Sequence, residues 1–121
     1  MSEQYFFDTY ALFEMVYGNK KYDKYAEAGG TTTIINLAEL NYGLKKEFDK
    51  ETADKITERF SNSTSEITIN DVKEAMTLKI SNKKLSIPDT IGYVIAKNKK
   101  MKFVTGDEDF KNMNNVEFVK K

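Results

Sequence analysis

Asp8, Glu39, Asp89 and Asp107 are the residues of this chain best placed to do chemistry. Asp8 follows the apolar run Tyr5-Phe6-Phe7, and Asp107 closes Lys102-Phe103-Val104-Thr105-Gly106. Both positions read as the carboxyl end of a buried strand, the edge where open α/β sheets bind ligands. Asp89 stands in the opening turn of a helix begun by Ser86-Ile87-Pro88. Glu39 lies in line with Ile35 and Tyr42 at helical spacing, which predicts a partly buried face. Carboxylates gathered at one point repel one another unless a hard cation neutralises them, and Mg²⁺ and Mn²⁺ take oxygen ligands of this kind. The pattern predicts a divalent-metal site and, with it, phosphoryl chemistry.

Each aspartate also has a purely structural reading. Ser86-x-x-Asp89 fits a capping box with proline in the first helical turn, and a cap worth about 1 kcal/mol would justify it alone. Asp107 and Asp8 are equally placed to cap the helices that follow them. What favours a shared site is convergence: two strand ends and a helix opening each deliver an aspartate, and helix N-termini already favour anions.

The elements that must position these groups alternate in type. Tyr5 to Phe7 reads as a strand and Thr9 to Tyr17 as a helix broken by Gly18-Asn19. Lys20 to Glu27 reads as a short helix, and Thr32 or Thr33 caps a helix running to about Phe48, where Leu37, Leu40, Leu44 and Phe48 form an apolar stripe. A helix from Lys50 to Phe60 and a polar loop follow. Glu66 to Ile69 reads as a short strand, and Asn70 or Asp71 caps a helix to about Ile80. A helix from Ser86 to Lys97, a strand from Lys102 to Thr105, a short helix from Glu108 to Asn112 and a strand from Val116 to Val119 complete the chain. This order predicts a three-layer α/β/α sandwich around a central, mostly parallel sheet of four to five strands.

Composition excludes much of the rest. With 121 residues the chain reads as one domain, residues 1–121. It has no histidine, which removes Ser-His-Asp catalysis and the usual zinc hydrolase sites, and no cysteine, which removes thiol chemistry and fits a cytoplasmic protein. No apolar run approaches the roughly 20 residues that span a bilayer. Met1-Ser2-Glu3-Gln4 is acidic and leads directly into a strand, unlike a signal peptide. Net charge is zero, but lysines cluster at Lys20-Lys21-Lys24, Lys45-Lys46, Lys83-Lys84 and Lys97-Lys99-Lys100-Lys102, with Arg59 the sole arginine. Such clusters are most simply a solvated surface; beside an acidic centre they would also suit a polyanion.

Four blocks together resemble the PIN-domain ribonucleases, specifically the small VapC-like toxins of toxin–antitoxin pairs. They are Phe7-Asp8-Thr9, Ala38-Glu39-Leu40-x-x-Gly43, Ile87-Pro88-Asp89-Thr90-Ile91, and Val104-Thr105-Gly106-Asp107-Glu108-Asp109-Phe110. The last block is the most specific. The resemblance implies that Asp8, Glu39, Asp89 and Asp107 surround one or two Mg²⁺ or Mn²⁺ ions, with Thr9, Thr105 and Asp109 in support. It implies metal-dependent cleavage of RNA, a homodimer, and an antitoxin partner whose tail reaches the acidic cluster. Lys97, Lys99 and Lys100 are the expected phosphate contacts. The chain departs from the pattern at Gly106, often basic in relatives, and in the late helix, where relatives usually carry alanines. A maintenance nuclease of the same chemistry, a PIN-like binding module, and a receiver or haloacid-dehalogenase-like phosphatase are the other readings; the last pair lacks the aspartates that it needs, since Tyr10 stands two residues beyond Asp8.

Overall fold

The computed structural model describes residues 3–121; Met1 and Ser2, and so the start of the segment read as unlike a signal peptide, lie outside the described residues. Three parallel strands form the sheet: β1 (Tyr5–Phe7), β2 (Lys102–Thr105) and β3 (Val116–Phe118), in the order β1-β2-β3. Phe6 pairs with Phe103, and Phe7 with Val104. Side chains alternate across a strand, so Phe6 and Phe103 enter one core while Phe7 and Val104 enter another. That alternation makes the molecule three-layered.

Six helices connect β1 to β2: α1 (Thr9–Val16), α2 (Asp23–Ala28), α3 (Ile34–Glu47), α4 (Lys50–Glu58), α5 (Ile69–Ser81) and α6 (Ile87–Asn98). Leu12, Leu37, Leu40, Leu44 and Ala53 from α1, α3 and α4 cover one face of the sheet. Ala75 of α5 and Ile91, Val94 and Ile95 of α6 cover the other. Among the described residues no helix is long and apolar enough to cross a membrane.

The fold class matches expectation, but the sheet is narrower than four to five strands. Glu66 to Ile69 is not a strand. The Thr68 hydroxyl accepts from Asp71 N at 3.1 Å and the Asp71 carboxylate accepts from Thr68 N at 3.0 Å, a capping box that turns the chain into α5. Thr68, rather than Asn70 or Asp71, is thus the N-cap. Beyond β1 the sheet continues only as single bridges, Phe6 to Thr31 and Thr32 to Thr64.

A second departure concerns α3. Glu39 and Tyr42 are exposed, Tyr42 to 68%, so the face carrying them is open rather than partly buried. Leu37, Leu40 and Leu44, with Asn36, are the buried residues of this helix, Ile35 is partly buried, and Phe48 at the end of the expected stripe is 40% exposed.

β1 and β2 run parallel and end at the same edge, and the helices that follow strands in such units begin there. The edge therefore receives Asp8, which caps α1, Asp89 in the first turn of α6, and Asp107 just beyond β2. Gly106 is fitted to this corner. A Cβ there would lie 2.1 Å from the Tyr10 ring and 2.6 Å from the Val119 carbonyl oxygen. Overpacking of this kind costs about 1–3 kcal/mol. Gly106→Ala is expected to lose about that much in urea unfolding, and adding Tyr10→Ser should restore only part, because the Val119 backbone remains in the way.

Candidate active site

Asp8 is 4% exposed and makes hydrogen bonds with both carboxylate oxygens. Oδ1 accepts from Ala11 N at 2.8 Å, closing the first turn of α1, and Oδ2 accepts from the Thr105 hydroxyl. Burial pushes its pKa up to about 7, and the negative charges of Asp89 and Asp107 push the same way; the bonds from Thr105 and Ala11 pull down without cancelling the desolvation. Electrostatically, then, Asp8, Asp89 and Asp107 share one field. Asp89 also has a raised pKa, through burial first and then Asp107 and Asp109, opposed by its bonds to Ser86.

Thr105 ties two members of the group together. Its hydroxyl accepts from Asp107 N at 3.0 Å while donating to Asp8. Asp107 in turn accepts from Asp109 N at 2.9 Å, making it the N-cap of the 3₁₀ turn at Glu108–Phe110. Asp89 accepts from Ser86 N at 2.9 Å, and Asp89 N donates to the Ser86 hydroxyl at 3.2 Å. The capping roles expected of all three aspartates are real, and they coexist with convergence.

Glu39 approaches from α3 and is joined to this edge through Thr9, whose hydroxyl donates to its Oε1 at 2.6 Å. Thr9 directly follows Asp8 and is half-buried. Among the described residues no three acidic groups are drawn together as a preassembled metal cage. The donors nevertheless fit a hard divalent ion: they are carboxylate oxygens, one deeply buried, under mutual repulsion that a cation would relieve. Asp8, Asp89 and Asp107 are the residues that would hold it, with Glu39 reaching in beside Thr9.

The expected phosphate lysines are placed elsewhere. Lys97 stands eight positions beyond Asp89 on the same helix, about 12 Å along its axis, and Lys99 and Lys100 lie further still. Lys99 instead donates to the Ser65 hydroxyl at 3.1 Å. The lysines at the acidic edge are others. Lys84 Nζ lies 3.8 Å from Asp109, and Lys120 Nζ lies 3.6 Å from Glu108. Lys21 Nζ reaches the Lys120 carbonyl at 3.3 Å. Lys21 belongs to a cluster visible in the sequence, but spacing gave no sign of Lys120 beside it, because the two are brought together from opposite ends of the chain. It also missed Asn36, buried beside Thr9, although its place three residues before Glu39 on one helix was a usable signal.

Burial of Asp8 has a measurable consequence. Below pH 3.8, the ordinary value, Asp8 is protonated in both folded and unfolded chains and costs nothing. As pH rises from there to about 7, the unfolded chain releases its proton first and stability is lost; above that the loss is complete. A shift of this size corresponds to at most about 4 kcal/mol. Asn at this position can still accept from Ala11, and its Nδ2 can donate to Thr105 in a bond reversed from the native one. The reversal leaves the Thr105 proton without this acceptor and takes something from the gain in stability. Asp8→Asn is therefore expected to stabilise the fold by up to about 4 kcal/mol near pH 8 and by little near pH 3.5, read from urea unfolding across that range.

A family model described as PIN domain matches residues 5–116. Comparison with curated proteins gives no match. Among solved structures, the chain is similar to one in a toxin–antitoxin complex from Klebsiella pneumoniae, at 20% identity and TM-score 0.78, covering 98% of this chain and 100% of that one. It is similar to a protein of Pyrobaculum aerophilum at 18% identity and TM-score 0.75, over 98% and 92% of the two chains. A third likeness is to VapBC2 from Rickettsia felis, bound to a DNA fragment from their promoter, at 18% identity and TM-score 0.72, over 97% and 98%. These likenesses concern the fold; the family-model match spans nearly the whole chain, and with it the acidic edge built by Asp8, Asp89 and Asp107. PIN domains are nucleases, and this chain belongs to the PIN-domain family.

Proposed function

We propose that this protein is a divalent-metal-dependent endoribonuclease, acting as the toxin of a toxin–antitoxin pair. The observation that carries the reading is the shared field of Asp8, Asp89 and Asp107 at the carboxyl edge of the sheet, in a chain of this family. A bound Mg²⁺ or Mn²⁺ supplies positive charge to a phosphate and acidifies water. The chain's own residues do the rest. Asp8 and Asp107 offer oxygens from two adjacent strand ends, and Thr105 holds them in register. Asp89 and Glu39 complete the acidic wall, with Thr9 and Asp109 supporting Glu39 and Asp107. Lys84 and Lys120, beside Asp109 and Glu108, and Lys21 next to Lys120, would contact phosphates flanking the cut. Lys97, Lys99 and Lys100, about 12 Å or more from Asp89 along the axis of α6, would meet only more distant ones.

Two of the structural neighbours are named as toxin–antitoxin assemblies. That supports an antitoxin for this chain, and the acidic edge would accept a cationic side chain from that partner; a homodimer in the cytoplasm is part of the same proposal. Severe growth arrest on expression alone, relieved by the neighbouring gene's product, would support the toxin role. Normal growth would favour a maintenance nuclease of the same chemistry.

The direct test is cleavage of labelled structured RNA with Mn²⁺, Mg²⁺ or EDTA. Cutting should require the ion and fall at least about 100-fold in Asp8→Asn and in Asp107→Asn, since each removes a ligand charge; cutting that survives either change in folded protein refutes the site. Mn²⁺ at about 100 times its Kd should stabilise the wild type by about 2.7 kcal/mol and Asp8→Asn by much less. For RNA binding by the uncut Asp107→Asn protein, Lys21→Gln and Lys120→Gln should each flatten the dependence of log affinity on log salt by about 0.7. Changing Lys97, Lys99 and Lys100 together should leave affinity for a short substrate nearly unaltered.

A further inference from the structure

Glu39 differs from the three aspartates in how it is held. They stand on strand ends or helix caps and are fixed by backbone N–H groups, whereas Glu39 is exposed on the second turn of α3 and owes its position to one hydroxyl. A glutamate with that freedom would spend most of its time elsewhere unless the hydroxyl were itself fixed. Asn36 does the fixing.

Asn36 is 3% exposed, one helical turn before Glu39. Its Nδ2 donates to Thr9 Oγ1 at 3.0 Å, and its Oδ1 accepts from the Thr33 hydroxyl at 2.7 Å. The Thr33 oxygen in turn accepts from Asn36 N at 3.2 Å, which is the N-cap bond of α3. Every polar atom in this chain of contacts has a partner, and among the described residues no buried side-chain polar atom lacks one.

The direction of the chain follows from proton counting. Thr9 Oγ1 and Glu39 Oε1 lie 2.6 Å apart, the separation of a charge-assisted O–H···O⁻ bond. The carboxylate brings no proton, so the bond must use the single hydroxyl proton of Thr9. Thr9 can then only accept from its other neighbour, so position 36 must present a donor there. The amide does so with Nδ2, and its carbonyl takes the Thr33 proton. Turned over, the amide would present an acceptor to Thr9 and compete with Glu39 for that proton. The backbone cap of α3 thereby sets the orientation of an amide, the amide sets a hydroxyl, and the hydroxyl, on the residue after Asp8, sets Glu39.

We infer that Asn36 is a positioning residue for Glu39, acting through Thr9 to hold that carboxylate toward the ion site. The inference rests on the metal-dependent reading above and deepens it. Asn36 touches neither ion nor RNA in this role.

A double-mutant cycle read by calorimetric Mn²⁺ binding tests it, with RNA cleavage as a second readout. Asn36→Leu keeps the volume and removes the amide. It should weaken Mn²⁺ binding about tenfold, in the range seen when the outer partners of metal ligands are removed. In a Glu39→Gln background, where the ligand is already lost, the same change should alter Mn²⁺ affinity less than twofold. With RNA, kcat should fall while KM stays within twofold. Thr9→Val, which exchanges the hydroxyl for a methyl, should reproduce the loss and add nothing to Asn36→Leu; it carries the test if Asn36→Leu fails to fold. Equal losses with and without Glu39 would show a structural role only and overturn the inference, as would no loss in the wild-type background. Wild-type protein that binds Mn²⁺ yet cuts no RNA would refute the nuclease reading while the cycle still decides the role of Asn36. Wild-type protein that binds no Mn²⁺ would overturn both.

Discussion

One buried carboxylate organises this molecule. Asp8 leaves water at the end of β1, and its desolvation outweighs the two hydrogen bonds it receives. Those bonds determine what lies next to what. Ala11 N can reach Oδ1 only if α1 begins immediately after β1, and the Thr105 hydroxyl can reach Oδ2 only if β2 lies beside β1 in the observed register. One side chain is thus bonded both to the start of α1 and to the end of β2. The cost of burying that charge is one that a cation would offset, and one that a neutral asparagine would largely avoid.

Capping and ligation were set against each other in reading the aspartates, and the geometry shows why they are compatible. A carboxylate has two oxygens and about four lone-pair directions. Asp89 spends one oxygen on Ser86 N, and Asp107 spends one on Asp109 N. The remaining lone pairs are free to face the centre. Each backbone bond also removes rotational freedom from the side chain, so much of the ordering that a metal site requires is supplied by caps that the helices need anyway.

How much of this was legible depended on sequence distance. Strand ends marked by Tyr5-Phe6-Phe7 and Phe103-Val104-Thr105 were readable because apolar runs and the aspartates closing them are local signals. The capping box at Ser86 and Asp89 was readable for the same reason. Glu66 to Ile69 misled because its alternation mimics a strand, while the deciding bond pair, Thr68 with Asp71, overrides it by three residues. The burial assigned to Glu39 misled because its face is buried only near the helix start, at Ile35, and opens to solvent by Tyr42, while Leu37, Leu40 and Leu44 face the core. Lys21 beside Lys120, 99 positions apart, is a product of the closed fold and has no local trace.

Gly106 shows how a departure at one position constrains others. By the resemblance, this position is often basic in PIN-domain relatives. Here the ring of Tyr10 and the Val119 carbonyl fill the space beside it, and Lys121 N donates to the Tyr10 hydroxyl at 3.0 Å, holding the C-terminal residues against α1. Positive charge cannot come from between Thr105 and Asp107 in this chain. It must come from flanking segments, and the same C-terminal residues that close over Tyr10 bring Lys120 to Glu108, while the loop before α6 brings Lys84 to Asp109. Positive charge thus sits on the rim, in lysines paired with exposed carboxylates, and exposed pairs of this kind contribute little to stability.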